Sequence, residues 1–202
     1  VTFSCANNPA KWSAETLTLW ARLLASEPTA RLLLRFHERT ADQATRAALR
    51  SRLSAYGLPV DRVVFDDAPV AKAAHLIALA KSDIALDPTP FGGATSTFEA
   101  LWMGVPVVTL AGDRVTGRVS ASLLKHAGLS DLVARDAEGY LAAAQRLAAD
   151  VDRLQKLRRT LRDTLRGSPL LQRAAYARAV EAAYRDAWAG ACAAHHRRQT
   201  SR

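Results

Sequence analysis

The chain has 202 residues, 49% of them hydrophobic and 23% charged, a composition that excludes a disordered tail and suits one good-sized core, alone or with a helical appendage. Its net charge of +9 is unevenly spread, with sixteen basic and fourteen acidic groups before residue 150 and twelve against five from there on. Nucleic acid or an acidic membrane is therefore a candidate partner of the C-terminal quarter alone, against the plainer reading of a solvated basic helix face. No apolar run approaches the roughly 20 residues that span a bilayer. Cys5 and Cys192, at opposite ends, make neither a disulfide framework nor a metal-ligand spacing, which favours a reducing, cytoplasmic setting.

In chain order, Val1 to Ala6 reads as a strand already under way, with no starting Met, as in an excerpt from a longer protein. Ser13 can cap a helix whose Leu17, Trp20, Leu23 and Leu24 share one face before Pro28 stops it. Arg31 to Phe36 is a buried-strand run, Asp42 to Tyr56 an amphipathic helix closed by Gly57 and Pro59, and Arg62 to Phe65 a third strand. Helix Ala71 to Lys81, strand Ile84 to Leu86, helix Ser96 to Met103 and strand Val105 to Leu110 follow, then a helix over 115–126 ending at Gly128 and a short strand at Leu132-Val133. Single helices between strands imply right-handed crossovers and a mostly parallel sheet, an α/β, Rossmann-like fold over residues 1–135. From Ala137 the pattern stays helical, giving an extension over 136–190 packed on the sheet, broken at Gly167-Ser168-Pro169. Its last helix is expected to end near Trp188, followed by a frayed tail over 191–202.

In such sheets ligands bind beyond the carboxyl ends of the strands, so the loops after strands one, four and five are where chemistry is expected. After strand four, Gly92-Gly93 permits a tight turn and Thr95, Ser96 and Thr97 open a helix. Free N–H groups and hydroxyls there suit a phosphate, although an ordinary glycine turn with a helix cap has the same composition. The dinucleotide fingerprint and the P-loop lysine ending are both absent. Glu99, a turn into that helix, can accept two hydrogen bonds from a vicinal diol such as ribose, or serve only as a carboxylate near a helix N-terminus. Lys11 follows strand one and can reach the same phosphate region, or be a solvated lysine. His75 can stack on a base, or be structural. No zinc cluster and no Ser-His-Asp grouping is specified by spacing.

The run Asn7-Asn8-Pro9-Ala10-Lys11, then Leu19 to Leu24, then Phe91 to Arg118 with the block Glu99 to Asp113, and the ending Arg166-Gly167-Ser168-Pro169-Leu170 resemble the C-terminal catalytic half of the O-linked N-acetylglucosamine transferase family over about residues 1–188. The resemblance implies the second half of a GT-B glycosyltransferase fold, often preceded by tetratricopeptide (TPR) repeats. It implies inverting transfer of GlcNAc from UDP-GlcNAc to protein Ser or Thr hydroxyls, with no metal and no cofactor beyond the donor. Position by position, it puts Asn8 near the donor nucleotide, Lys11 on the diphosphate as the charge-stabilising catalytic group, and Lys72 and His75 at the uridine. Thr95 and Ser96 fall on the diphosphate and Glu99 on the ribose hydroxyls.

Two positions depart from the animal enzymes. Ala94 stands where they have a histidine, and Ala78 where they have an arginine. The N-terminal catalytic domain, which supplies much of the acceptor site, is missing from this chain, so no general base is assigned. A related transferase with another sugar or acceptor, or a non-catalytic interaction module, are the alternative readings.

Overall fold

The computed structural model describes residues 1–36, 42–66 and 71–200. Strands β1 (Thr2–Cys5), β2 (Arg31–Leu34), β3 (Val63–Phe65), β4 (Ile84–Leu86), β5 (Val107–Leu110) and β6 (Val133–Ala134) form one sheet in the order β3-β2-β1-β4-β5-β6. Every pairing is parallel, and Phe3 of β1 is flanked by Leu32 and Ile84. The chain winds outward from β1 to β3, returns across the sheet and winds the other way from β4. The order therefore reverses between β1 and β4, which opens a crevice at their carboxyl ends.

The helices are α1 (Ala14–Ser26), α2 (Gln43–Ala55), α3 (Lys72–Leu79), α4 (Thr95–Trp102), α5 (Val119–His126), α6 (Ala137–Ala149), α7 (Val151–Gly167) and α8 (Arg173–Thr200). Four of them start on a side-chain cap: Ser13, Asp42, Asp136 and Asp150 each accept a backbone N–H of the first turn. The expected stripe of α1 (Leu17, Trp20, Leu23 and Leu24) is fully buried, and Leu141, Ala144 and Leu147 of α6 and Leu161 and Leu165 of α7 join the same core. Each such leucine contributes about 1.5–3 kcal/mol by leaving water.

Several boundaries differ from the sequence reading, three of them with a physical reason on view. β5 starts at Val107, because Pro106 has no N–H to donate, although its carbonyl still accepts from Ala85 at 2.8 Å. The helix expected over 115–126 is a 3-10 turn at Val115–Gly117 followed by α5. Its turn backs onto the β4 loop so closely that a Cβ on Gly117 would lie 2.8 Å from the Pro90 carbonyl oxygen. The tail expected to fray is helical through Thr200, since Ala191, Ala193 and Ala194 are strong helix formers and no proline interrupts them. Ser201 and Arg202 lie outside the described residues. α8 leaves Tyr176, Tyr184 and Trp188 exposed.

The basic face of α7 serves the scaffold. Arg158 donates to the Ala80 and Ser82 carbonyls beyond α3, Arg162 donates to the Trp102 carbonyl at the end of α4, and Arg162 and Arg166 lie over the Trp102 ring. Among the described residues no helix is long and apolar enough to cross a membrane.

Candidate functional site

A cavity of about 540 Å³ occupies the crevice, and all seven sequence candidates line it: Asn8 and Lys11 after β1, Lys72 and His75 on α3, and Thr95, Ser96 and Glu99 on α4. Its size lies in the range of small-ligand sites. The loop after β5, also expected to contribute, contributes none of the lining residues and instead braces the β4 loop from behind, with Gly92 N–H donating to the Thr116 carbonyl at 3.2 Å.

At one end stands the opening of α4. Ala94, in the capping position, has no side chain to accept a hydrogen bond, so α4, unlike α1, α2, α6 and α7, begins without a side-chain cap. Its uncapped N–H groups and partial positive charge suit an anion. Lys11 lies against the same loop: its Nζ donates to the Gly92 carbonyl at 2.9 Å and to Asn7 Oδ1 at 3.3 Å, and sits 4.0 Å from the centre of the Phe91 ring. Thr95 is exposed, and Ser96 donates its hydroxyl to Asn7 Oδ1 at 3.1 Å. Thr97 departs from the expectation of a third hydroxyl donor. It is buried, its hydroxyl is paired with that of Ser120 at 2.8 Å, and the helical rotation from Thr95 turns it to the core. Asn8 caps the 3-10 turn Pro9–Lys11 through its Oδ1, which leaves its amide nitrogen for the cavity.

At the other end Glu99 receives two donors on separate oxygens: Lys72 Nζ on Oε1 and His75 Nε2 on Oε2, the latter at 3.0 Å. Burial raises the Glu99 carboxyl's affinity for protons, but the hydrogen bonds from Lys72 and His75 and the nearby positive charge outweigh it, and the net shift is downward. Glu99 is thus an ionised acceptor with lone pairs to spare, since a carboxylate can accept about four hydrogen bonds. Ala94 lies on the rim of the cavity, whereas Ala78 is buried and does not line it.

Three residues that sequence reasoning left without a role organise the site. Asn7, beside the singled-out Asn8, is buried and links Lys11 and Ser96, with its Nδ2 3.5 Å from Asp87. Asp87 directly follows β4 and accepts from Gly93 N–H at 2.6 Å and from Thr109 Oγ1 at 2.8 Å. Arg35, inside a run that read only as buried strand, donates to His75. An Asp just after a strand and five residues before a Gly-Gly turn, and an Arg at a strand's carboxyl end, were the signals available for the last two.

A doubly wound parallel sheet, a crevice at its switch point lined by a lysine, an uncapped helix start and a carboxylate, and helices closing the C-terminal side define the class: the second half of a GT-B type fold. The chain belongs to glycosyl transferase family 41, which matches residues 1–180. It is 38% identical over 192 residues to the SPINDLY protein of Solanum lycopersicum, a probable UDP-N-acetylglucosamine–peptide N-acetylglucosaminyltransferase, covering 95% of this chain and 20% of that one. A mutant of the Thermobaculum terrenum O-GlcNAc transferase superposes with a TM-score of 0.85 at 37% identity, over 93% of this chain and 36% of the other. Sucrose-phosphate synthase from Thermosynechococcus elongatus shares the fold alone, with a TM-score of 0.60 at 18% identity. The chain spans about a fifth of the curated relatives' length.

Proposed function

We propose that this chain is the donor-binding half of an inverting glycosyltransferase that moves N-acetylglucosamine from UDP-GlcNAc to protein Ser or Thr hydroxyls. The observation that carries the reading is the arrangement of the cavity by charge: Lys11 and the uncapped start of α4 at one end, ionised Glu99 at the other. A nucleoside diphosphate has the complementary pattern, with anionic phosphates at one end and a hydroxyl-bearing ribose at the other. In this reading the diphosphate lies on the α4 N–H groups and the Thr95 and Ser96 hydroxyls, the ribose diol donates to Glu99, and the base lies toward His75 and Lys72. As the acceptor hydroxyl bonds to the anomeric carbon and the bond to the UDP oxygen breaks, negative charge builds on the departing diphosphate. Lys11 and the α4 dipole are placed to stabilise it. Much of the acceptor site belongs to the N-terminal catalytic domain, the second partner this reading requires, and no general base is assigned to this chain.

A related transferase with a different sugar is the second reading, favoured by Ala94 on the cavity rim, which leaves space where the resembling animal enzymes carry a histidine. The two part in an assay of a protein carrying both catalytic halves with a Ser/Thr peptide and a panel of nucleotide sugars, read by mass spectrometry. Addition of one N-acetylhexosamine from UDP-GlcNAc is expected. Transfer of another sugar only would replace the first reading by the second, and no transfer from any donor would refute both. In the same assay Lys11→Ala should lower turnover at saturating donor by about 10²-fold or more, the loss typical of a removed transition-state charge partner, with the thermal midpoint within a few degrees of the parent. Equal turnover would remove Lys11 from the reaction.

A further inference from the structure

His75 and Glu99 are held by an unbroken chain of polar contacts that starts outside the cluster assigned to the nucleotide. Arg35 and Asp66, at the carboxyl ends of β2 and β3, are both buried, and Arg35 Nη1 donates to Asp66 Oδ2 at 2.9 Å. The same guanidinium turns its Nε–H to His75 Nδ1, 3.0 Å away, and on the far side of the ring Nε2 lies 3.0 Å from Glu99 Oε2. A guanidinium carries donors only. Nδ1 must therefore be the acceptor, and the ring proton must sit on Nε2, where the carboxylate takes it.

We propose that Arg35 is a positioning residue of this pocket: paired with Asp66, it pins His75 as the Nε2–H tautomer and so commits the His75 proton to Glu99. With Lys72 on the other oxygen, the carboxylate is then fixed in rotation, its remaining lone pairs directed at the cavity. The inference rests on the donor-site reading for its consequence in binding, but not for the tautomer itself. A fork is needed for this, because one side chain must satisfy Asp66 and His75 at once from two nitrogens in fixed relation, which a lysine cannot do. Other charged groups facing the imidazole are Lys72 on its own helix and Glu99 on α4; Lys11 lines the same cavity.

Nitrogen-15 spectra of the ligand-free chain labelled at histidine test it, with the His75 signals assigned by their loss in His75→Gln. The expected parent spectrum shows an unprotonated Nδ1 and a protonated Nε2. Replacing the buried pair together, Arg35→Met with Asp66→Leu, avoids stranding one charge. It should move proton occupancy onto Nδ1 and weaken UDP binding about threefold to tenfold, the worth of one ordinary hydrogen bond. A protonated Nδ1 in the parent overturns the proposal whether or not the double variant folds, and so does a folded double variant that keeps the parent's tautomer. A parent with the expected tautomer but no affinity for UDP would support the pinning and refute the donor-site reading.

Discussion

The Asp87 carboxylate accepts the Gly93 N–H at 2.6 Å from the end of β4, and this buried contact shapes the turn from which α4 departs. Burial pushes the Asp87 carboxyl above the ordinary carboxylate range, against hydrogen bonds from Ser120, Thr109 and the Gly93 N–H and the charge of Lys11. The folded protein then holds this proton more tightly than the unfolded chain does. Its contribution to stability is complete below about pH 4, the ordinary Asp value, and is lost as pH rises through the raised native value. Asp87→Asn removes the titration. In thermal melts between pH 4 and pH 8, the parent's midpoint should fall relative to the variant's as pH rises; a constant difference would contradict the assignment.

The glycines of this loop differ from those of the C-terminal helices. A Cβ on Gly92 would lie 2.4 Å from Asp87 Oδ2, and Asp87 cannot retreat because Thr109 and Gly93 hold it. Overpacking of this kind costs about 1–3 kcal/mol, so Gly92→Ala should lower the midpoint by roughly 2–12 °C for a chain of this size. Gly190, inside α8, meets nothing within 4 Å. Gly190→Ala should leave the midpoint unchanged or raise it, as alanine is the better helix former. Equal losses at both sites would show that the loop is looser than its geometry.

Behind the loop, the Tyr140 hydroxyl donates to the Asp87 carbonyl at 3.1 Å and accepts from Trp20 Nε1 at 3.3 Å, tying α6 and α1 to the end of β4. Tyr140→Phe leaves a buried carbonyl and a buried indole N–H unsatisfied, at a cost of about 1–3 kcal/mol for such a group. Urea denaturation should show a lower midpoint with an unchanged slope. An unaltered midpoint would mean that neither bond contributes.

The fold was legible wherever one periodicity ran unbroken: the α1 stripe of Leu17, Trp20, Leu23 and Leu24, and the strand-helix alternation that dictates a parallel sheet. The order of strands was not, because no local pattern says that β4 returns beside β1. Glu99 and Lys11 were visible as residues of the right chemistry in the right loops. Thr97 was misjudged because three successive hydroxyls look alike in sequence, while helical rotation sends the third into the core against Ser120. Arg35 and Asp66 were hidden for a related reason. In the sequence each is only a polar residue beside a strand, and their pairing depends on β2 and β3 lying in parallel register, Leu34 opposite Phe65.

Glu99 as the ribose acceptor is the claim on which the account turns, and calorimetric titration of UDP and 2′-deoxy-UDP against parent and Glu99→Gln tests it most directly. A charge-assisted hydrogen bond is worth about 1.5–3 kcal/mol, or roughly 10- to 150-fold in affinity. The lower end is expected, because the ligand must share a carboxylate already bonded to Lys72 and His75. Since the Glu99 carboxyl is held below its ordinary value, its contribution to UDP binding should persist as pH falls past the ordinary value and be lost only as pH falls through the lowered one. The account predicts about tenfold weaker UDP binding by the variant at pH 7 and a clearly smaller loss for the 2′-deoxy nucleotide, a coupling between residue and hydroxyl. Equal losses for the two nucleotides, or no UDP binding by the folded parent, would contradict it.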